Sequence, residues 1–334
     1  MSMRALITDG QEVRLDRNWP EPDPKPGEAV VATRRVAISG LDRAAAGGLL
    51  SFRGVLGHAF VGTVQSIEPA DAGPMTAANR SKIEAEQRVV GSICTSCGTC
   101  DLCQKGLRAH CRHQTILGLH HRDGCAAERF ALPALNLVRV PETVDDERAV
   151  FAHDIAAAIQ TARQITVEGK PYITVLGDGP LGLIMVQVLA RLNASVRLIG
   201  HSARRLGICE KWGIKHRHAD EIGRRADQDV VVDCTDSPEG LELAMQLVRP
   251  RGTIIRKCVL PPSAQRSVDL SPITRREITL TGSFDGPVSE AMHMIEREEI
   301  DVVSIIGRRM KLDDGETLLR ATTQPDALRV QAEV

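Results

Sequence analysis

The second half of the chain alternates short apolar runs with helix-like segments, and this rhythm restricts the fold more than any other feature. From Pro171 onward these segments are YITVLGDGPLGLIMVQVLARL, SVRLIG, ARRLGICEKWG, DVVVDCT, GLELAMQLV and GTIIRKCV. Strands that alternate with helices build βαβ units, which give a parallel sheet with helices on both faces. We therefore predict an α/β fold with a doubly wound parallel sheet.

The motif GDGPLG places Gly177, Gly179 and Gly182 in the spacing G-x-G-x-x-G, between a predicted strand and a predicted helix. In this context the first glycine permits a tight turn, the second lets the backbone approach a pyrophosphate, and the third allows close helix–strand packing. Pro180 and Leu181 open the helix, whose free N–H groups would face the phosphates. The motif predicts a dinucleotide site, and an ordinary glycine turn is the alternative.

The residues after the second predicted strand indicate the type of dinucleotide. NAD sites usually carry an acid about 20 residues after the glycine motif, where it binds the ribose. This chain has GHSARR at residues 200–205, without a carboxylate. A hydroxyl and guanidinium groups suit a 2′-phosphate, since arginine pairs bidentately with phosphate. We expect NADP(H) rather than NAD(H), bound by His201, Ser202 and Arg205; the alternative is that Arg204 and Arg205 are solvated helix residues.

A cluster of cysteines predicts a metal site. Cys97, Cys100, Cys103 and Cys111 have the spacing C-x2-C-x2-C-x7-C. Four thiolates close a tetrahedral zinc site, and a closed site is structural. An iron–sulfur cluster is the alternative because Cys94 extends the two-residue spacing, but the last gap differs from the ferredoxin pattern. We interpret the scattered remaining cysteines as core residues, namely Cys125, Cys209, Cys234 and Cys258.

Composition excludes several classes of partner. Aromatic residues make up only 2% of the chain, which argues against a base-stacking surface, and the net charge of -1 gives no attraction to nucleic acid or membranes. The N-terminus lacks the apolar core of a signal peptide, and no run of 18 apolar residues occurs. We expect a cytoplasmic protein, in which clustered cysteines bind metal. The polar segment at 71–87 predicts a surface loop.

With these motifs together, the chain resembles the zinc-type medium-chain alcohol dehydrogenases. The resemblance rests on the strand-rich first half, CGTCDLCQKGLRAHC, GDGPLG, and the segments LGHAFVGTV, DGCAAERFALPALNL, GLELAMQLVRPRGTII and ALRV. It implies a GroES-like, β-rich catalytic domain at 1–148, a Rossmann domain at 149–285, and a return to the catalytic domain at 286–334. It also implies hydride transfer between an alcohol carbon and NAD(P), a catalytic zinc ion, and a homodimer or homotetramer.

The chain departs from this family where the catalytic zinc is expected. The family pattern Cys-Gly-Ser/Thr-Asp is Ser39-Gly40-Leu41-Asp42 here, so a serine replaces the thiolate and a leucine replaces the relay hydroxyl. The pattern Gly-His-Glu is Gly57-His58-Ala59. The expected Glu-Pro is His153-Asp154.

These changes weaken the expected zinc site without removing every ligand. His58 and His153 are good zinc ligands, and Asp42, Asp154 or water could complete an open site. The alternative is that both histidines are ordinary polar residues in a cleft. We predict an oxidoreductase acting on a small alcohol, aldehyde, ketone or polyol, with His58, Ser39, Asp42 and His153 at its catalytic site. Two alternatives are a metal-free NADPH reductase of activated carbonyls or enones, and a cofactor-binding protein without turnover.

Overall fold

The computed structural model describes residues 2–69, 83–223, 225–257 and 259–334. Most of the surface loop predicted at 71–87 (its first 12 residues, up to residue 82) and Cys258 therefore lie outside the described residues. The strands are β1 Ser2–Thr8, β2 Val13–Pro20, β3 Glu28–Ile38, β4 Gly54–Val55, β5 Ala59–Ile67, β6 Arg88–Gly91, β7 Cys94–Thr95, β8 Thr115–Ile116, β9 Arg129–Pro133, β10 Leu137–Arg139, β11 Tyr172–Leu176, β12 Ser195–Gly200, β13 Lys215–His218, β14 Gln228–Asp233, β15 Val248–Arg256, β16 Thr279–Gly282, β17 Ile306–Lys311 and β18 Arg329–Glu333.

The helices fall mainly in the second half of the chain. They are α1 Gly40–Ala46, α2 Asp101–Gln104, α3 Asp146–Ala149, α4 Ala152–Arg163, α5 Pro180–Leu189, α6 Ala203–Lys211, α7 Pro238–Leu247, α8 Ser271–Arg275, α9 Val288–Glu296 and α10 Thr317–Thr322. No described helix combines the length and apolar character that crossing a membrane requires.

Six strands form a parallel sheet in the order β13-β12-β11-β14-β15-β16. The central strands carry continuous Val, Ile and Leu runs because helices cover both faces of such a sheet. This observation confirms the predicted α/β class. The strand order reverses at β11, and ligands of open α/β sheets bind outside the carboxyl ends of the strands at that point.

The first half of the chain is built from antiparallel strands. One sheet has the order β2-β1-β4, and a larger one has β10-β6-β5-β3-β18-β17, with β9 also paired to β3. The last strand of the chain, β18, pairs with β3 from Val330↔Ile38 to Glu333↔Arg35. The C-terminal residues therefore complete a sheet that begins near the N-terminus.

Two helices, α3 and α4, join the two halves of the chain. The sequence pattern predicts a single helix over this segment, VDDERAVFAHDIAAAIQTARQI. Asp145 caps α3 by accepting the Arg148 N–H at 2.8 Å, and the chain turns at Val150 and Phe151 before α4 begins. Both turn residues are fully buried in the core that α4 shares with α5 and α9. Burial of these side chains therefore outweighs continuous helix formation.

Candidate functional site

A cleft of about 350 Å³ lies beside the carboxyl ends of β11 and β14. Residues from both halves of the chain line it. They include most of the predicted catalytic and cofactor residues, namely Ser39, His58, His153, Gly177, Gly179, Pro180, Leu181, His201 and Arg205. Asp42, Gly182 and Ser202 are buried behind this lining. The structure thus brings the two groups of predicted residues to one place.

Three of the predicted catalytic residues form a hydrogen-bonded chain. His58 Nδ1 lies 2.9 Å from Asp42 Oδ1, and His58 Nε2 lies 3.3 Å from Ser39 Oγ. Because a carboxylate only accepts, Nδ1 carries the hydrogen in this pair, and Nε2 faces the Ser39 hydroxyl, from which it accepts when it carries no hydrogen itself. Asp42 and His58 are buried, whereas Ser39 borders the cleft. The chain therefore runs from a buried carboxylate to the open space.

Local sequence explains how this chain is held. Ser39 is the N-cap of α1, and its Oγ accepts the Leu41 N–H at 3.0 Å. Asp42 Oδ2 accepts the Ser39 N–H at 2.7 Å, which completes a capping box. Burial raises the pKa of the Asp42 carboxyl, but the adjacent His58 ring and the Ser39 N–H act in the opposite direction and the net shift is downward. Asp42 is therefore held as a carboxylate.

His153 and Asp154 lie in the first turn of α4, facing the same cleft. The His153 ring meets the His58 ring edge-on, with ring centroids 5.0 Å apart. Burial lowers the pKa of His153 to about 4, so this ring is neutral near pH 7. Asp154 Oδ1 forms an ion pair with Arg329 at 2.6 Å. His153 Nδ1 and Asp154 Oδ2 have no hydrogen-bond partner among the described residues.

The residues of the cleft do not fit the catalytic zinc ion that the resemblance implies. Within the described part of the chain, only the four lobe cysteines bring three or more His, Cys, Asp or Glu ligand atoms within metal-binding reach of one another. At the cleft, His58 and His153 offer only two imidazoles, while Asp154 is paired with Arg329. The Ser39 hydroxyl is a neutral group engaged in the helix cap. Zinc sites with an open position need three protein ligands.

The four-cysteine lobe, by contrast, fits a closed zinc site. Three of the sulfur–sulfur distances are 3.5 Å for Cys100–Cys103, 3.9 Å for Cys100–Cys111 and 3.5 Å for Cys97–Cys111. A tetrahedron with Zn–S bonds of about 2.3 Å has sulfur–sulfur edges of about 3.8 Å. Hydrogen bonds from Thr99 and from the Cys100 N–H lower the pKa of Cys97 to about 5, which favours the thiolate. These four residues would hold one structural ion.

Cys94 lies outside this group. Its side chain is buried, and burial together with the nearby Asp285 carboxylate raises the pKa of its thiol. Cys125 and Cys209 are also buried, as predicted for core residues, whereas Cys234 is only half-buried and lines the cleft.

The glycine loop has the geometry that a dinucleotide requires. Gly177 adopts a φ of +98°, and a Cβ atom there would lie 2.8 Å from the Cys234 carbonyl oxygen. A Cβ atom on Gly182 would lie 1.8 Å from the Gly177 carbonyl oxygen. A Cβ atom on Gly179 would meet nothing within 4 Å, so this position faces open space. Gly177 thus forms the turn, Gly182 allows close packing, and Gly179 leaves an open space that a ligand could enter.

Asp178, inside the glycine motif, is a site residue that the sequence spacing does not indicate. Its Oδ2 accepts the N–H groups of His201 at 3.0 Å and Ser202 at 2.7 Å, and its Oδ1 accepts from Arg205 at 2.8 Å. The carboxylate that lies at the end of β12 therefore belongs to Asp178 of the glycine loop and not to a residue of β12 itself. Ser202 Oγ caps α6 by accepting the Arg205 N–H at 3.1 Å. Arg205 Nε has no partner among the described residues.

Comparison with known proteins identifies this architecture. A family model for the alcohol dehydrogenase GroES-like domain matches residues 25–142, and one for zinc-binding dehydrogenases matches residues 180–298. The chain belongs to the zinc-type medium-chain alcohol dehydrogenase superfamily. It is therefore an alcohol dehydrogenase-like, NAD(P)-dependent oxidoreductase by class, which confirms the resemblance and the predicted pair of GroES-like and Rossmann folds.

The individual proteins that this chain resembles share less than a third of its residues. An L-threonine 3-dehydrogenase from Streptomyces avermitilis is 29% identical, over 94% of each chain. A zinc-binding dehydrogenase target from Sinorhizobium meliloti 1021, solved with NADP bound, has a TM-score of 0.84 at 24% identity over all of both chains. The alcohol dehydrogenase TADH from Thermus sp. ATN1 has a TM-score of 0.82 at 22% identity, covering 99% of this chain and 100% of its own. Both solved structures share the fold.

Proposed function

We propose that this protein interconverts a small alcohol and its carbonyl compound without a catalytic metal ion, using Ser39, His58 and Asp42 to transfer the proton. Bound NADP(H) supplies or accepts the hydride. The observation that carries the proposal is the hydrogen-bonded chain from Asp42 through His58 to Ser39, which ends in the cleft that the glycine loop also lines. The shortage of metal ligands in this cleft supports the metal-free form.

The hydrogen bonds suggest a direction for each step. In alcohol oxidation, Ser39 Oγ accepts the substrate hydroxyl proton while its own proton passes to His58 Nε2. The resulting imidazolium is stabilised by the Asp42 carboxylate 2.9 Å away. In carbonyl reduction the imidazolium returns the proton through Ser39 to the developing alkoxide. The neutral His153 ring beside His58 adds no positive charge that would oppose the imidazolium.

Ser39 variants test this proton path. We expect Ser39→Ala to lower kcat by about 100-fold, since positioned general acids and bases contribute at least about that much. The NADPH dissociation constant should stay unchanged because Ser39 is not in the glycine loop. Ser39→Thr is the matched control, since it keeps the hydroxyl and should keep most of the activity. Equal activity of Ser39→Ala and wild type would refute the proton path.

The substrate screen should cover alcohols, polyols, aldehydes, ketones and enones, with NADPH consumption or NADP⁺ reduction as the readout. Activated carbonyls and enones need less polarisation of the oxygen, so a metal-free site favours them. Silence on the whole panel despite tight NADPH binding would contradict turnover and would favour a cofactor-binding role.

We also propose NADP(H) over NAD(H). Two observations support this preference. Arg205 Nε has no hydrogen-bond partner among the described residues, so it can still donate to a phosphate. The Asp178 carboxylate already binds Arg205 and two backbone N–H groups, so it is less available to the ribose hydroxyl of NAD. Arg205→Ala should therefore weaken NADPH binding more than NADH binding. The exposed neighbour Arg204 provides the control, and Arg204→Ala should change neither affinity. Tighter NADH than NADPH binding by the wild type would contradict the preference.

The remaining features of the proposal concern the whole protein. We propose the domain bounds 1–148, 149–285 and 286–334, supported by the pairing of β18 with β3. The superfamily resemblance supports a homodimer or homotetramer acting on a small molecule, and the near-neutral charge supports the absence of nucleic-acid or membrane partners. The thiolate lobe suits a reducing cytoplasm.

A further inference from the structure

Lys257 is a cation of the cleft that has no carboxylate partner in the part of the chain that the structure describes. It follows β15 directly, lines the cleft and donates from Nζ to the Phe284 carbonyl oxygen at 2.8 Å. Within the described residues no carboxylate oxygen lies within 4.0 Å of Nζ, whereas each arginine of the cleft has one. These arginine pairs are Arg43–Asp236, Arg205–Asp178 and Arg329–Asp154.

The acids nearest to Lys257 are committed elsewhere. Asp154 is ion-paired with Arg329 through Oδ1, and Asp285 accepts from the Ser92 hydroxyl at 2.5 Å and from the Gly286 N–H at 2.9 Å. Burial lowers the pKa of Lys257 to about 8, although Cys234, Asp285 and Asp154 act in the opposite direction. A partly buried ammonium ion with this incomplete compensation gains free energy from any anion that pairs with it.

We propose that Lys257 binds a carboxylate group of the substrate, so that the substrate is a small carbonyl or hydroxy compound that also carries a carboxylate. An ammonium ion has three N–H donors, and one of them is used on Phe284. The other two can hold a carboxylate in the cleft that Ser39, His58 and His153 line. This inference rests on the proposed function only in placing the reacting carbon near His58.

Charge gives the expected pH dependence. The carboxylate pairs with the ammonium form, so its affinity should be highest below pH 8 and fall by about tenfold in total as Lys257 loses its proton above that pH. The groups that face Lys257 are Cys234 after β14, Asp285 after β16, and His153 and Asp154 on α4. His153 is neutral throughout this range. Cys234→Ser tests whether the thiol contributes to the profile.

Equilibrium binding to the protein saturated with NADP⁺ tests the inference without requiring turnover. The probes are 2-hydroxybutanoate and 2-butanol, which differ by the carboxylate. We expect the acid to bind wild type about tenfold more tightly, as a charge-assisted hydrogen bond would give. Lys257→Met should abolish this preference and Lys257→Arg should retain part of it. If Lys257→Met does not fold, Lys257→Gln provides the same comparison.

The outcomes separate this inference from the proposed function. If the protein shows no turnover but prefers the carboxylate through Lys257, this inference is supported and the proposed enzymatic activity is contradicted. An unchanged preference in Lys257→Met would overturn the inference. A loss of NADPH affinity in Lys257→Met, with the ratio between the two probes unchanged, would also overturn it, since Lys257 would then contact the nicotinamide carboxamide.

Discussion

Two glycines of one loop have different structural roles, although both belong to the same motif. Gly182 packs against the Gly177 carbonyl oxygen, whereas Gly179 faces open space. We expect Gly182→Ala to destabilise the protein by about 1–3 kcal/mol, because the added methyl group overpacks the loop. Gly179→Ala should leave the free energy of unfolding unchanged and weaken NADPH binding, because the methyl group would meet the pyrophosphate.

Denaturant unfolding and NADPH titration on the same two variants check this pair, and each variant is the control for the other. The assignment would be wrong if Gly179→Ala bound NADPH normally, or if Gly182→Ala were as stable as wild type.

At the scale of single residues, sequence predicts groups whose spacing carries the chemistry. The cysteines and glycines are examples, because four thiolates or a tight turn impose fixed separations along the chain. Asp178 and Lys257 escape such an analysis, because their roles depend on partners brought near by folding. Asp178 binds N–H groups that lie more than 20 residues away in sequence, at the end of β12. Lys257 stands out because no described carboxylate pairs with it and its Nζ donates to the Phe284 carbonyl oxygen.

At the scale of elements, the cysteine lobe is a unit whose stability depends on its ion. The hairpin β7–β8 and the short helix α2 have few residues, so little apolar burial holds them together. Cys100→Ser should release the ion and lower the melting temperature, since zinc binding contributes directly to folding.

Metal content by mass spectrometry and a thermal melt measure both effects. Cys94→Ala is the matched control, because Cys94 lies outside the ligand group and its loss should leave the metal content unchanged. A Cys100→Ser protein with the same metal content and melting temperature as wild type would contradict the structural role of the lobe.

Elements were predictable wherever the local pattern and the packing agree. Strand β11 (Tyr172–Leu176) is the apolar run that precedes the glycine motif, and the alternating segment EAVVATRRVAIS forms β3. The break between α3 and α4 was not predictable, because the helix-like pattern continues through Val150 and Phe151. The chain turns there because both side chains are buried in the core. The turn places His153 and Asp154 in the first turn of α4, where the His153 ring meets that of His58.

At the scale of the whole molecule, the cleft exists because the chain returns to its first half. Arg329, the first residue of β18, reaches Asp154 of α4 and also donates to the Ile38 carbonyl oxygen at 3.1 Å. Arg43 of α1 pairs with Asp236, which follows β14. Family resemblance predicts such an arrangement of domains, but the loss of a zinc ligand set changes what the cleft can do.

The central claim is that this cleft transfers a proton through Ser39, His58 and Asp42 without a metal ion. The zinc content of turnover-competent wild-type protein, purified without added metal, tests it most directly. We predict about one zinc ion per chain, held by the cysteine lobe, with full activity. About two ions per chain, with activity lost when the more weakly bound ion is removed, would contradict the claim.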